Sequence, residues 1–380
     1  MRICLYPYSE GSGTGTYILE LARGLHKRGH EIIVIGTAQE TARKNGLTFI
    51  QTPRNIKSQY NKLWELPPFS YIDFFLTKKY LHQILIKLKP DIVHLSTHLN
   101  VSSLPGKKIV TSWDSARSIV GSINLAIRYS NVFLLPYRIL REFEMNVKDR
   151  IMYHYVDLVV GVNEEITKSW QMKGIAAIHI PPGIQIPNIT PTKNKTLTLC
   201  FIARNHIWIK RKGLRYLLNA LMIIKQKYPQ LDYKLHIIGN IPWYSQFILN
   251  KYKPLKDHIQ IHGLLPRNKA LEIVEHSHIQ IIPSVYEEFG YAALEAMAYG
   301  TVPIVSERSY SLNEMVKDGA GIAVNIYCAE TFAKKMQQLM SDKQILTALQ
   351  QKVFDKVNSI YNIDNVAKMM EETYTRLLKK

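Results

Sequence analysis

The sequence predicts an α/β protein of two domains, each a parallel β-sheet wrapped by helices. Three observations predict it. At 380 residues the chain is too long for one ordinary hydrophobic core. Short apolar runs of strand length alternate with helical patterns along most of it. Glycines and charged residues gather just after several of those runs, at the carboxyl ends of strands where open α/β sheets bind ligands.

The first domain is expected over residues 1–187. Arg2 to Tyr6 reads as a strand, Pro7 to Thr16 as a loop, and about Tyr17 to Lys27 as a helix with apolar Ile18, Leu21, Ala22 and Leu25. Gly29 stops that helix and His30 to Ile35 gives the next strand, which completes a βαβ unit. Further strands are expected at Ile92 to Leu95, Lys108 to Thr111, Leu158 to Gly161 and Ala177 to Ile180.

The second domain is expected over 188–360, beginning after Pro187-Asn188 and a polar tract that ends near Lys195. Its strands are Thr196 to Ile202, Tyr233 to Ile238, Ile259 to His262, Ile279 to Ile282, Val302 to Val305 and Ile322 to Val324. Helical patterns lie between most of them, including Gly213 to Lys227 and Asn268 to His276. Residues 361–380 carry an amphipathic helix expected to pack back on the first domain.

Composition narrows the class. Hydrophobic residues at 46% and charged residues at 21% describe a folded chain and exclude a disordered one. Cys4, Cys200 and Cys328 lack metal-ligand spacing, and reduced buried thiols are the expected state of the first two. No secretory segment is read at the start, and no apolar run reaches the roughly 18 residues of a spanning helix. The net charge is +19. From Arg54 to Lys89, Lys and Arg are interleaved with aromatics such as Tyr60, Trp64 and Phe69, a mixture suited to an anionic lipid surface or a nucleic acid. A solvated basic face with aromatics turned inward is the competing reading.

Three stretches carry chemistry. In SVYEEFGYAALEAMAYG, Glu287 lies in a loop after a strand, and Glu295 lies eight residues on, within a helix that opens at Phe289-Gly290. Paired acids beside an anion-friendly helix start suit a hydroxyl-rich ligand that also carries phosphate, although helix capping explains such acids too. In GSGTGTY the glycines let a backbone approach a ligand, but Thr16 breaks the dinucleotide pattern GxGxxG, so a hydride-transfer cofactor is disfavoured. In ARNHIWIKRKG, Arg204 and the run Lys210 to Lys212 precede a helix opening at Gly213 and offer convergent positive charge. A tight turn and a solvated charge run remain alternatives for the last two.

Taken together these residues resemble family 4 of the retaining glycosyltransferases, which have the GT-B fold: two Rossmann-like domains facing each other across a ligand cleft. The likeness covers essentially the whole chain. It is strongest at PSVYEEFGYAALEAMAYGTVPIVSE, residues 283 to 307, where Glu287 and Glu295 match the family's paired acids and Glu288 replaces a usual glycine. The remaining matches run in order: the glycine loop at 13 to 16, LELARGLHKRGHE, DIVH, VGVNEEIT, IPPGI, the ARN to KRKG segment and IIGN.

The resemblance implies that the second domain binds a nucleotide-diphosphate sugar, with UDP or GDP as the nucleotide. Arg204 and Lys212 would clamp the diphosphate, Glu295 would accept the ribose hydroxyls and Glu287 would contact the donor sugar. Phe289 and Gly290 would offer backbone N–H groups, with Glu288 and Gly239 alongside. Gly13, Gly15 and Thr16 would close over the diphosphate. Where relatives have His-Asp near the reacting centre this chain has Trp113-Asp114. Trp113 has no titratable base but can donate one N–H or stack on a sugar, and Asp114 is retained as a hydroxyl contact.

The implied reaction is transfer with retained configuration by front-face attack, with no cofactor and no essential metal. The acceptor, a glycan, lipid or lipid-linked glycan, would bind the first domain, which carries the basic aromatic block and the stretch Leu125 to Met145. A cytoplasmic protein, peripheral on the cytoplasmic membrane face, is expected. The rivals are a sugar-nucleotide epimerase of the same fold, an inactive scaffold and a nucleic-acid-binding protein; the last has no reader motif and leaves the paired acids unexplained.

Overall fold

The structure is a computed structural model that describes residues 1–8, 13–36, 46–52, 69–96, 101–113, 139–140, 147, 150–188, 192–203, 212–240 and 250–380, with backbone only at 8 and 69–76. It divides into two compact units, Met1–Gly183 with Ile363–Lys380, and Ile184–Asn362.

Unit 1 contains, in chain order, β1 (Arg2–Tyr8), α1 (Gly13–Lys27), β2 (Glu31–Gly36), β3 (Thr48–Gln51), α2 (Phe69–Leu88), β4 (Ile92–Leu95), β5 (Lys107–Ser112), β6 (Leu158–Gly161), α3 (Glu164–Gln171) and β7 (Ala177–His179). The strands form one parallel sheet ordered β3-β2-β1-β4-β5-β6-β7. Strands covered on both faces need continuous apolar runs, and Ile3, Cys4 and Leu5 are all at most 1% exposed. β3 was not anticipated, because TFIQ is four residues long and only half-buried at its two central positions. Helix α1 starts at Gly13 rather than Tyr17, so Gly13, Gly15 and Thr16 form its first turn instead of a loop. First-turn N–H groups have no intrahelical partner in any case, which leaves that end open for glycine-rich sequence.

Unit 2 contains β8 (Thr198–Ile202), α4 (Leu214–Lys227), β9 (Lys234–Ile238), β10 (Ile259–Gly263), α5 (Arg267–His276), β11 (Ile279–Ile282), α6 (Tyr291–Ala298), β12 (Val302–Ser306), α7 (Tyr310–Val316), β13 (Ile322–Val324), α8 (Ala329–Ser341) and α9 (Lys343–Lys356). Its parallel sheet is ordered β10-β9-β8-β11-β12-β13. The crossover falls at Gly183/Ile184 rather than at 187, because the Ile184 N–H already bonds the Tyr361 carbonyl at 2.8 Å and the residue bridges Asn362. Lys193 sits under this sheet and donates to the carbonyls of Glu275 (2.9 Å) and Tyr299 (3.0 Å) and to Thr301 Oγ1 (2.8 Å). It thereby caps the carboxyl ends of α5 and α6. Burial lowers its pKa to about 8.

The last helix, α10 (Ile363–Lys379), returns to unit 1 and packs on α1. Gly24 makes the close approach possible: a Cβ there would lie 2.7 Å from the Ala367 Cβ. The ion pair of Lys27 with Asp364 (2.7 Å) and the hydrogen bond between His30 Nε2 and Glu371 (2.9 Å) flank the contact. Among the described residues no helix is long and apolar enough to cross a membrane.

In each sheet the chain runs outward on one side of its first strand and then returns to the other side. The switch points are therefore β1/β4 in unit 1 and β8/β11 in unit 2. Such a point leaves a crevice at the strands' carboxyl ends, where ligands of this architecture bind.

Candidate active site

In unit 2 the crevice is framed by the loop after β8 and the loop after β11. Gly213, the N-cap of α4, is left-handed with φ 74°, and a Cβ there would meet the Pro283 carbonyl oxygen at 1.9 Å. Only glycine lets the two loops touch. Their contact sets the Lys212 ammonium against Glu287 in an ion pair. The Glu287 side chain is 9% exposed and that of Lys212 31%. Ser284 Oγ donates to the same Glu287 oxygen at 2.8 Å. The acid is therefore ordered by two donors, and the lysine is aimed into the crevice by the acid.

The rest of the loop is tied from behind. Ser311 Oγ, in the first turn of α7, donates to the Glu288 carbonyl at 2.5 Å, and Ser309 Oγ reaches the Glu287 carbonyl at 3.5 Å. Phe289 is buried, with its ring centroid 5.9 Å from Tyr291 and 6.3 Å from Tyr361. Gly290 is the left-handed N-cap of α6, and the N–H groups that follow open toward the same crevice. Glu295, in the second turn of α6, is held by Arg267, whose Nε lies 2.9 Å and whose terminal nitrogen 2.7 Å from one carboxylate oxygen. Gly239, at the end of β9, is required by the sheet itself: a Cβ there would sit 1.8 Å from the Ala203 carbonyl oxygen. Arg204 lies outside the described residues.

Unit 1 presents its own crevice. Trp113 follows β5, and its indole N–H donates to Ser96 Oγ, just after β4, at 2.8 Å. The indole N–H is thus engaged by a buried hydroxyl. Tyr17 meets the Trp113 ring edge to face with centroids 5.3 Å apart. Beneath them runs a buried chain: Tyr17 OH to Thr111 Oγ1 (2.7 Å), Thr111 Oγ1 to His94 Nε2 (2.6 Å), and His94 Nδ1 to Tyr374 OH (2.5 Å). Burial lowers the His94 pKa to about 3, so the ring is neutral and structural. Gly13 is exposed, Thr16 half-buried and Gly15 buried at the start of α1. Asp114, His98, most of the basic aromatic block and most of Leu125 to Met145 lie outside the described residues.

The structure thus joins Lys212 to Glu287 and sets Glu288, Phe289 and Gly290 on one braced loop. Sequence reasoning missed Arg267, Ser284, Ser309, Ser311, Thr111 and Tyr374. Serines and an arginine in ordinary helix starts carry no periodic signal, and Tyr374 meets His94 across 280 residues of sequence.

Two family descriptions match successive parts of the chain: Glycosyltransferase Family 4 over residues 11–186 and Glycosyl transferases group 1 over 185–355. The chain belongs to the GT-B glycosyltransferases. Among its relatives is the D-inositol 3-phosphate glycosyltransferase of Pseudarthrobacter chlorophenolicus, 30% identical over 272 residues, which are 66% of this chain and 63% of that protein. The phosphatidyl-myo-inositol mannosyltransferase of Mycobacterium tuberculosis is 23% identical over 83% of this chain and 79% of its own. Among solved structures, sucrose-phosphate synthase from Thermosynechococcus elongatus matches with a TM-score of 0.74 at 16% identity, covering 100% and 99% of the two chains. Anabaena HepE, in complex with UDP-glucose, matches with a TM-score of 0.69 at 13% identity, covering 99% and 100%. Those two likenesses establish the GT-B fold.

Proposed function

We propose that this GT-B chain is a retaining glycosyltransferase that moves a sugar from a nucleotide-diphosphate sugar to an acceptor hydroxyl. The observation that carries the reading is the Lys212–Glu287 pair, braced by Ser284 at the β8/β11 switch point. A diphosphate drawn to Lys212 and the α6 N-terminus brings its sugar beside Glu287, whose carboxylate accepts sugar hydroxyls. Glu295 accepts the ribose hydroxyls. Arg204 joins Lys212 in neutralising the leaving group.

In the reaction the bond from the sugar's anomeric carbon to the diphosphate oxygen breaks, and its electron pair leaves with the nucleoside diphosphate. The acceptor oxygen bonds to the same face of that carbon, and its proton passes to the departing phosphate. No enzyme carboxylate forms a covalent intermediate. Lys212 lowers the barrier by stabilising charge that grows on the leaving group.

UDP is favoured as the nucleotide by the UDP-glucose bound to HepE. The inositol phosphate and phosphatidylinositol in the relatives' names favour a phosphate-bearing, lipid or lipid-linked acceptor on unit 1. The +19 charge supports work on an anionic cytoplasmic membrane face.

The test is a panel of UDP-, GDP- and ADP-sugars, read by thermal shift and by nucleotide release with and without candidate acceptors. Selective stabilisation by one nucleotide class, with release that needs an acceptor, is the expected result. Epimerised donor without release would point to an epimerase. Absence of any shift would sink the donor reading and leave a scaffold, a role to which Trp113 in place of a histidine would then belong.

A further inference from the structure

Arg267 stands where a cation is locally unfavourable. It is the first residue of α5, whose opening turn contains no acid and whose N-cap, Pro266, supplies no side-chain acceptor. A helix start carries partial positive charge and disfavours a cation. Lys269, two residues on, is matched within the helix by Glu272 at 2.8 Å. The carboxylate that answers Arg267 comes from another helix: Glu295 in α6, engaged by two guanidinium nitrogens at 2.9 and 2.7 Å. The Glu295 side chain is 16% exposed and Arg267's is 43%, so the acid is sheltered while the arginine covers it from the solvent side. A locally disfavoured residue with a well-formed remote contact marks a positional requirement.

We propose that Arg267 is a positioning residue for the donor's ribose. It holds the Glu295 carboxylate through one of its oxygens, so that the acid is placed to accept hydrogen bonds from the ribose diol. This inference rests on the nucleotide-sugar reading above and adds to it a named determinant of sugar-nucleotide selectivity. A guanidinium does this better than an ammonium, because its rigid fork grips one carboxylate oxygen through two nitrogens at once. The consequence is selective: losing Arg267 weakens binding of ribonucleotides and leaves deoxyribonucleotides nearly untouched.

The experiment is titration calorimetry of UDP, 2′-deoxy-UDP and 3′-deoxy-UDP on the full chain, with GDP and its deoxy forms in parallel. It compares the unaltered protein with Arg267→Met, Arg267→Lys and Glu295→Gln, each first checked by thermal melting. A hydrogen bond to a charged group corresponds to a preference of about tenfold or more for UDP over its deoxy forms. Arg267→Met is expected to remove most of that preference, Arg267→Lys to restore part of it, and Glu295→Gln to abolish it. Equal losses for UDP and deoxy-UDP in Arg267→Met would overturn the inference and make Arg267 a phosphate or base contact. An unchanged preference in Arg267→Met, with a lost one in Glu295→Gln, would overturn it while leaving the donor reading intact. Failure of the unaltered protein to bind any of these nucleotides would instead overturn the donor reading and the inference with it.

Discussion

Replacing Lys212 with Met separates two roles that the structure gives one ammonium. The first is structural. Glu287 is 9% exposed, and without Lys212 it keeps the Ser284 hydroxyl but loses its counter-charge. Breaking a fully buried pair costs about 3–5 kcal/mol, but Lys212 is 31% exposed, which reduces the expected loss to about 1–2 kcal/mol. In a unit of this size that corresponds to a fall of about 5 °C in Tm. The second role is chemical. Removing a preorganised group that stabilises charge in the transition state lowers kcat by about 10²–10³-fold. The companion Lys212→Met/Glu287→Gln removes the orphaned charge together with its partner. Its Tm is expected to return to within about 2 °C of the unaltered protein, by the same conversion. Its turnover, measured as nucleotide release from the donor that the panel identifies, is expected to stay at least about a hundredfold below that of Glu287→Gln alone. If the double variant instead turns over like Glu287→Gln, Lys212 merely neutralises an acid and the leaving-group argument fails.

Gly213→Ala forces a left-handed alanine whose Cβ meets the Pro283 oxygen. We expect about 2 kcal/mol or more of destabilisation and a donor Kd at least about tenfold weaker, read by urea unfolding and calorimetry; near-normal values would mean the loops part without consequence. Burial holds the folded pKa of His94 at about 3, below its ordinary 6.5, so the unfolded chain takes up the proton first. Its contribution is complete above pH 6.5 and is lost toward pH 3, at about 1.4 kcal/mol per pH unit; urea titrations from pH 7 to 4 that follow unit 1 fluorescence check it. Lys193 is likewise depressed, from 10.5 to about 8, so its contribution is present above pH 10.5 and is lost as pH falls to about 8. The stability gap between the unaltered protein and Lys193→Met should widen by roughly 1–2 kcal/mol between pH 8 and pH 10. A constant gap would mean that the ammonium keeps its ordinary pKa.

What the sequence revealed and what it concealed follow from the range of the forces involved. Doubly buried strands such as Ile92–Leu95 and Ile279–Ile282 fell at their anticipated residues, because burial on both faces calls for a mostly apolar run, each of these holding a single polar residue, His94 and Gln280. The half-exposed TFIQ strand made no such demand and was invisible. Glu287 and Lys212 stood out as charged residues at strand ends. Their pairing did not, since it depends on Gly213 meeting Pro283 some 70 residues away in sequence. The acceptor of the Trp113 N–H, Ser96 on the neighbouring strand's exit, was equally illegible, lying 17 residues away in sequence.

The same contrast explains why the C-terminal helix matters to unit 1. The Tyr374 hydroxyl meets Nδ1 of His94, a ring that burial keeps neutral and that therefore has one donor and one acceptor nitrogen to satisfy. Thr111 takes the other nitrogen and passes the chain to Tyr17, whose ring supports Trp113. A helix at the very end of the chain thus holds the β1/β4 crevice through four side chains in series. A neutral imidazole between two hydroxyls is satisfied on both sides, one nitrogen donating and the other accepting, and it is burial that disfavours the charged ring. Burial keeps His94 neutral until about pH 3, so both hydroxyl contacts persist through mild acid, and the pH dependence predicted for His94 is also a test of how Trp113 is held.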